Sequence, residues 1–260
     1  MKITVLGVRG SIPVEGQEYL KFGGSTSCIL VETEKEAIFI DAGTGIINAP
    51  DIGDKNITIL LTHPHLDHLL GLPFFPYITQ KNRHIDFYSK NFLGLNASEI
   101  LNKLFGPPFW PCTLGDYPAD LKCLELTLPL QIGDVSVEGI ESNHPGGSTI
   151  FKLSQGGKSV VCATDYEYEE KSAARLAEFA KGTDLLFMDA QYTEEELATR
   201  KGYGHSAVSQ GLKIMQESGA KNLRFVHHDP RHNDEFLTQL DKEVKSETVS
   251  LAGRGEVIKL

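Results

Sequence analysis

The chain predicts a layered α/β fold, and three observations carry that prediction. Short runs of apolar and β-branched residues come in groups. Stretches with apolar residues three and four positions apart interrupt those groups as amphipathic helices do. The length of 260 residues, with 40% hydrophobic and 23% charged side chains, suits one large domain with a sizeable core. Periodicity alone leaves open which layered α/β arrangement the chain adopts.

Taken in order, strand-like runs fall at residues 3–6, 28–32, 37–40 and 57–61. More follow at 135–140, 149–153, 159–163, 185–188 and 223–226. Gly23-Gly24, Gly146-Gly147 and Gly156-Gly157 supply turns between them. Helical periodicity covers 97–104, 169–179, 206–217 and 234–244, and Thr193 followed by three glutamates reads as a helix start. Residues 105–112, FGPPFWPC, hold three prolines and three aromatics, including the single tryptophan. They fit a loop packed on its own domain, or a wall at a cleft or subunit interface.

Composition bounds function. Cys28, Cys112, Cys123 and Cys162 form no C-x-x-C pair, so free thiols in a reducing compartment are expected. The opening MKITVLGVRG has no long apolar signal core, and no run reaches the roughly 18 apolar residues of a membrane span. These features predict a cytoplasmic protein. A net charge of −10 disfavours broad nucleic-acid binding, which needs basic side chains against phosphates, but leaves room for a small phosphate ester.

Chemistry concentrates in residues 62–71, THPHLDHLLG. His63, His65, Asp67 and His68 follow directly on the apolar run 57–61. Imidazole and carboxylate are ligands for zinc and similar divalent ions. In an extended chain His63 and His65 point the same way and can share one ion. Asp67 and His68 lie past the turn, at the expected start of a helix through Leu69 and Leu70, and face a second ion. Pro64 stiffens the turn.

That H-x-H-x-D-H run, together with GVRGSIP, FGGSTSC, IFIDAGTG, SNHPGG, CATDYE, DLLFMDAQYT, GHSA and LRFVHHDP, resembles the metallo-β-lactamase superfamily in its ribonuclease Z-like and small phosphodiesterase branches. The resemblance implies an αββα sandwich over a single domain, 1–260, with metals at one edge. It implies two divalent cations, zinc first and manganese as the alternative. His63, His65 and His144 would hold one, Asp67, His68 and His227 the other, and Asp165 would bridge them. His227 and His228 are adjacent and only one can face the metals; the resemblance favours His227 and leaves His228 beside the site. Asp67 and His205 are the implied catalytic residues, with Asp189 orienting His205 and Asp41 supporting a ligand. His232 reads as a surface residue at a helix start.

Departures sharpen the reading. Zinc β-lactamases of the common kind carry Cys where this chain has Asp165, and the superfamily's diiron flavoproteins carry Glu where it has His65. No basic Gly/Pro-rich insertion matches the arm with which ribonuclease Z grips transfer RNA. The expected function is cleavage of a small or cyclic phosphodiester by a metal-bound hydroxide, without membrane attachment; a homodimer is what the resemblance implies, the sequence itself leaving the oligomeric state open. The alternatives are an RNA-processing nuclease, a lactone or thioester hydrolase on the same metals, and a non-catalytic metal-bound sensor or scaffold.

Overall fold

Every residue of β2 (Cys28–Glu32) and β3 (Glu36–Ile40) is buried, as strands covered on both faces require. The computed structural model describes residues 1–260 and places these strands in the first of two seven-stranded sheets. That sheet also holds β1 (Lys2–Gly7), β4 (Asn56–Leu60), β5 (His84–Ser89) and β6 (Asp120–Glu125). The second sheet runs through β7 (Leu130–Ile132), β8 (Val135–Ser142), β9 (Ser148–Gln155), β10 (Lys158–Ala163), β11 (Leu185–Asp189), β12 (Leu223–Val226) and β13 (Val249–Leu251). β14 (Val257–Lys259) returns to pair with β1, so the orders are 14-1-2-3-4-5-6 and 13-12-11-10-9-8-7.

The two sheets repeat one pairing scheme. In the first, pairs from β14 to β3 are antiparallel and pairs from β3 to β6 parallel. In the second, pairs from β7 to β10 are antiparallel and pairs from β10 to β13 parallel. This internal symmetry of topology leaves no repeat in the sequence.

Between the sheets lies a core that joins Ile3, Val31 and Ile38 to Phe151, Val160 and Phe187. Outside the first sheet, α1 (Ala97–Leu104) buries Ile100 and Leu101 in a cluster with Phe39 and Phe87. Outside the second, α2 (Glu170–Phe179), α4 (Val208–Ser218) and α5 (Asp234–Val244) bury Leu176, Ile214 and Leu237 with Val161 and Phe225. A four-residue helix, α3 (Glu194–Leu197), is closed by a Thr193–Glu196 capping box. The architecture is an αββα sandwich. None of its helices is long and apolar enough to cross a membrane.

Two expectations need correction. No helix runs through Leu69 and Leu70. The Ala42 N–H bonds to the His68 carbonyl and the Gly71 N–H to the Ala42 carbonyl, so these groups are tied across to the end of β3. Only short 3₁₀ turns, Leu66–His68 and Leu72–Phe74, remain. Five strands, β5, β6, β7, β13 and β14, fall outside the expected runs; β6 and β14 hold no buried residue and so lack the apolar run that marks a strand, whereas β5 alternates buried and less buried residues and was overlooked. Residues 105–112 form a loop packed on its own domain, with Trp110 edge-on to both Phe74 and Phe105 at 5.8 Å and Phe109 exposed.

Candidate metal centre

The site lies where strands of both sheets end. The β4 exit delivers four side chains in one loop: His63, His65, Asp67 and His68. The second sheet delivers His144 after β8, Asp165 after β10, Asp189 at the end of β11 and His227 after β12. Asp41, Asp165 and His227 each sit just past a strand end with a left-handed backbone, φ 63°, 56° and 64°. Such a conformation costs a non-glycine residue about 1–2 kcal/mol, and here it turns each side chain into the cleft. Gly10 passes beneath His227 so closely that a Cβ there would lie 2.3 Å from the ring.

The candidate ligand atoms converge. His63 Nε2 lies 2.8 Å from His65 Nδ1, and His144 Nε2 lies 3.2 Å from the same atom. His68 Nε2 and His227 Nε2 lie 3.3 and 3.2 Å from Asp67 Oδ2. Asp165 stands between the two groups. Its Oδ2 is 3.5 Å from His63 and 3.8 Å from His144, while its Oδ1 is 3.1 Å from both His68 and His227.

The far ring nitrogens are fixed by protein acceptors. His68 Nδ1 donates to Asp41 at 2.7 Å, His144 Nδ1 to the Gly204 carbonyl at 2.9 Å and His227 Nδ1 to Gln191 Oε1 at 2.9 Å. Asp41 also accepts the Thr62 hydroxyl at 2.9 Å, and His63 Nδ1 lies 3.1 Å from that hydroxyl oxygen, so one carboxylate braces a histidine of each group. Such contacts set the tautomer that leaves Nε2 free for a metal.

A family model described as "Beta-lactamase superfamily domain" matches residues 37–228. The chain belongs to the metallo-β-lactamase superfamily. A ribonuclease Z of Bradyrhizobium sp. is 22% identical over 290 residues, covering 91% of this chain and 92% of that one. A ribonuclease Z of Brevibacillus brevis is 39% identical over 83 residues, which span 31% of this chain and 24% of that protein. The metallo-beta-lactamase fold protein YhfI of Bacillus subtilis superposes with a TM-score of 0.74 at 19% identity, covering 99% of this chain and 98% of that one. A diphosphatase from the PhnP family superposes at 0.69 with 18% identity, covering 100% and 97%. The ribonuclease Z sequence matches place the chain in the ribonuclease Z-like branch of the superfamily, and the two solved structures show the shared fold.

The residues fit the divalent cations that this superfamily uses. Buried His68 Nε2 finds no hydrogen-bond partner in the protein, although two carboxylates face it. Ring nitrogens meeting ring nitrogens at about 3 Å make sense as donors aimed at a shared cation. The charge pattern agrees. Burial, reinforced by His68, holds His63 well below the ordinary histidine range, in the neutral form that ligates. Burial alone would also lower His227, but Asp165 and the hydrogen bond with Asp67 push it up to about 9. Asp165 would be raised by burial; His227, His68 and His63 instead hold it well below the ordinary carboxylate range. A pocket this rich in buried carboxylate seeks positive charge.

His205 stands beside the cluster. Its Nδ1 donates to Asp189 at 2.7 Å, and its ring stacks on His227 with centroids 4.8 Å apart. Ser11, Pro64, His65, Leu66, Asp67, Asp165, His205 and His227 line the open cleft, and none of them is Lys or Arg.

His228 does not support the site. It is buried on the other side of the strand end, edge-on to Phe22, with Nε2 donating to the Ala252 carbonyl at 2.9 Å. His232 is not a surface residue: it is buried against Glu196 at 3.1 Å. Sequence reasoning missed Gln191 and Thr62, which brace the imidazoles of His227 and His63, and Ser11, whose N–H donates to Asp67 at 2.7 Å. Ser11 is also left-handed, at φ 64°, and nothing local in GVRGSIP announces that.

Proposed function

We propose that this chain is a dinuclear metal-dependent phosphodiesterase that hydrolyses a small or cyclic phosphodiester, with residues 1–260 acting as one domain. The observation that carries the reading is Asp165, whose two oxygens face two separate sets of imidazoles. His63, His65 and His144 would hold one cation, Asp67, His68 and His227 a second, and Asp165 both. Zinc suits this donor set, with manganese as the alternative. The pair would supply Lewis-acid polarisation and a water acidic enough to ionise near neutral pH.

The chain's own groups do the rest. Asp67, held by the Ser11 N–H, orients the attacking water and takes up its hydrogen bond. Asp189 orients His205 through Nδ1, and as an imidazolium His205 would donate the proton on its other nitrogen to the departing ester oxygen. Attack is in line with that oxygen. Ribonuclease Z and diphosphatase relatives support phosphate-ester chemistry. The ribonuclease names also favour a second reading, an RNA-processing nuclease. A cleft without Lys or Arg and a net charge of −10 favour the small diester over a polyanion. We further propose a cytoplasmic homodimer; sedimentation of the purified protein checks the dimer, and cell fractionation the compartment.

The test is a hydrolysis panel of bis-(p-nitrophenyl) phosphate, cyclic nucleotides, a lactone and a short RNA, each with zinc or manganese. Turnover of the small diesters is expected. Rapid lactone opening with no diester cleavage would overturn the proposal, and cleavage of RNA alone would select the second reading.

A further inference from the structure

Glu167 lies two residues after Asp165 and takes no part in the chemistry above, yet its carboxylate accepts three backbone contacts from one loop. The Gly202 N–H reaches its two oxygens at 2.8 and 2.9 Å, and the Gly204 N–H reaches Oε2 at 2.8 Å. Loop 201–205, KGYGH, is exposed over its first three residues and buried from Gly204 onward. It carries two functional atoms. The Gly204 carbonyl accepts from His144 Nδ1, and the next residue is His205, held by Asp189.

The base of the loop is built for this clamp. Glu167 is itself fixed, because its N–H donates to the Asn143 carbonyl at 2.8 Å and its carbonyl accepts from Asn143 Nδ2 at 2.9 Å. Asn143 immediately precedes His144. Gly202 and Gly204 have φ of 87° and 90°, and a Cβ on Gly204 would lie 2.1 Å from His144 Nδ1. The loop thus needs two glycines in unfavourable backbone regions and an anion to hold their amides. Charge-assisted bonds from N–H to carboxylate are the stronger kind, and neutral substitutes lose that strength.

We infer that Glu167 is a positioning residue that locks loop 201–205, and through it sets both the His144 imidazole facing one cation and His205 facing the leaving group. This rests on the phosphodiesterase reading for its catalytic consequence but not for its structural one. Glu167→Gln keeps size and one acceptor oxygen while turning an NH₂ group against backbone N–H donors. Glu167→Ala removes the clamp.

Three readouts on the zinc-loaded full-length protein test it. Amide hydrogen exchange at Gly202 and Gly204 should quicken at least about tenfold in both variants, because a local opening no longer breaks charge-assisted bonds. Zinc affinity should fall by about tenfold, the scale of losing an imidazole's hydrogen-bond support. The kcat on diphenyl phosphate, whose phenolate needs a proton to leave, should fall about 10–100-fold, against less than about threefold on bis-(p-nitrophenyl) phosphate, whose leaving group does not. Unchanged exchange and zinc affinity, or equal slowing of both diesters with unchanged exchange, overturns the inference. If the wild type cleaves neither diester, the phosphodiesterase reading fails, while exchange and zinc affinity still decide the role of Glu167.

Discussion

The two halves of the sandwich share a pairing scheme but supply the cleft in opposite ways. The first sheet places His63, His65, Asp67 and His68 in one loop after β4. The second places one group at the end of each of several strands: His144, Asp165, Asp189 and His227. A loop that carries four candidate ligands is read from the chain as a cluster. Candidate ligands at strand ends become a cluster only when the sheet aligns their strands. The difference also appears in the backbone, since Asp165 and His227 need left-handed strand exits while the four loop residues do not. Local sequence makes the first half of the site, and packing makes the second.

The largest effect should come from the group that joins the halves. Asp165→Ala removes the one carboxylate shared by both imidazole sets, so bound metal should fall from two ions to one or fewer. Diester hydrolysis should drop on the order of 10³-fold, the scale of losing a key electrostatic group. Metal analysis beside a kinetic assay checks this, and an Asp165→Ala protein that keeps two ions would break the comparison.

His205→Ala tests whether the second half contributes chemistry beyond ligation. Activity on diphenyl phosphate should fall about 10²-fold, the contribution of a positioned general acid, with metal content unchanged. Loss of metal instead would make His205 a ligand. Asp41→Asn acts on the loop half. It weakens the brace on His68 directly and on His63 through Thr62, so zinc affinity should fall about 10–100-fold in a competition titration with a chelator.

The smallest effect concerns Asp184, at the opposite end of the strands that lead to Asp165 and Asp189. Burial alone would raise its pKa, but hydrogen bonds from Lys221, the Ser159 N–H and Lys158 bring it down to about 2. A carboxylate lowered in the folded state stabilises it above the ordinary carboxylate range, and that stabilisation fades as pH falls toward 2. Asp184→Asn should cost less than about 1 kcal/mol at neutral pH. The variant and wild type should converge in thermal stability near pH 2, with metal content at neutral pH unaffected in both.

Legibility in the sequence follows the same division. Helices α1 and α5 match their amphipathic stretches, 97–104 and 234–244, because their apolar faces repeat at helical spacing. The run THPHLDHLLG shows its four candidate ligands by proximity alone. Asp165 and His144 stand out only through the resemblance of whole motifs, since a lone aspartate before a helix also reads as a cap. Ser11, Thr62, Gln191 and Glu167 stayed hidden, because each acts through one hydrogen bond or a backbone clamp formed across distant segments. The helix expected after His68 failed for the same reason: hydrogen bonds across to Ala42 replaced the local ladder.

The most direct test is an anomalous-scattering map of crystals of the zinc-loaded protein. Two peaks about 3.5–4 Å apart, with the Asp165 carboxylate between them and His63 and His68 on opposite peaks, is the predicted result. A single peak, or zinc bound away from Asp165, would contradict it.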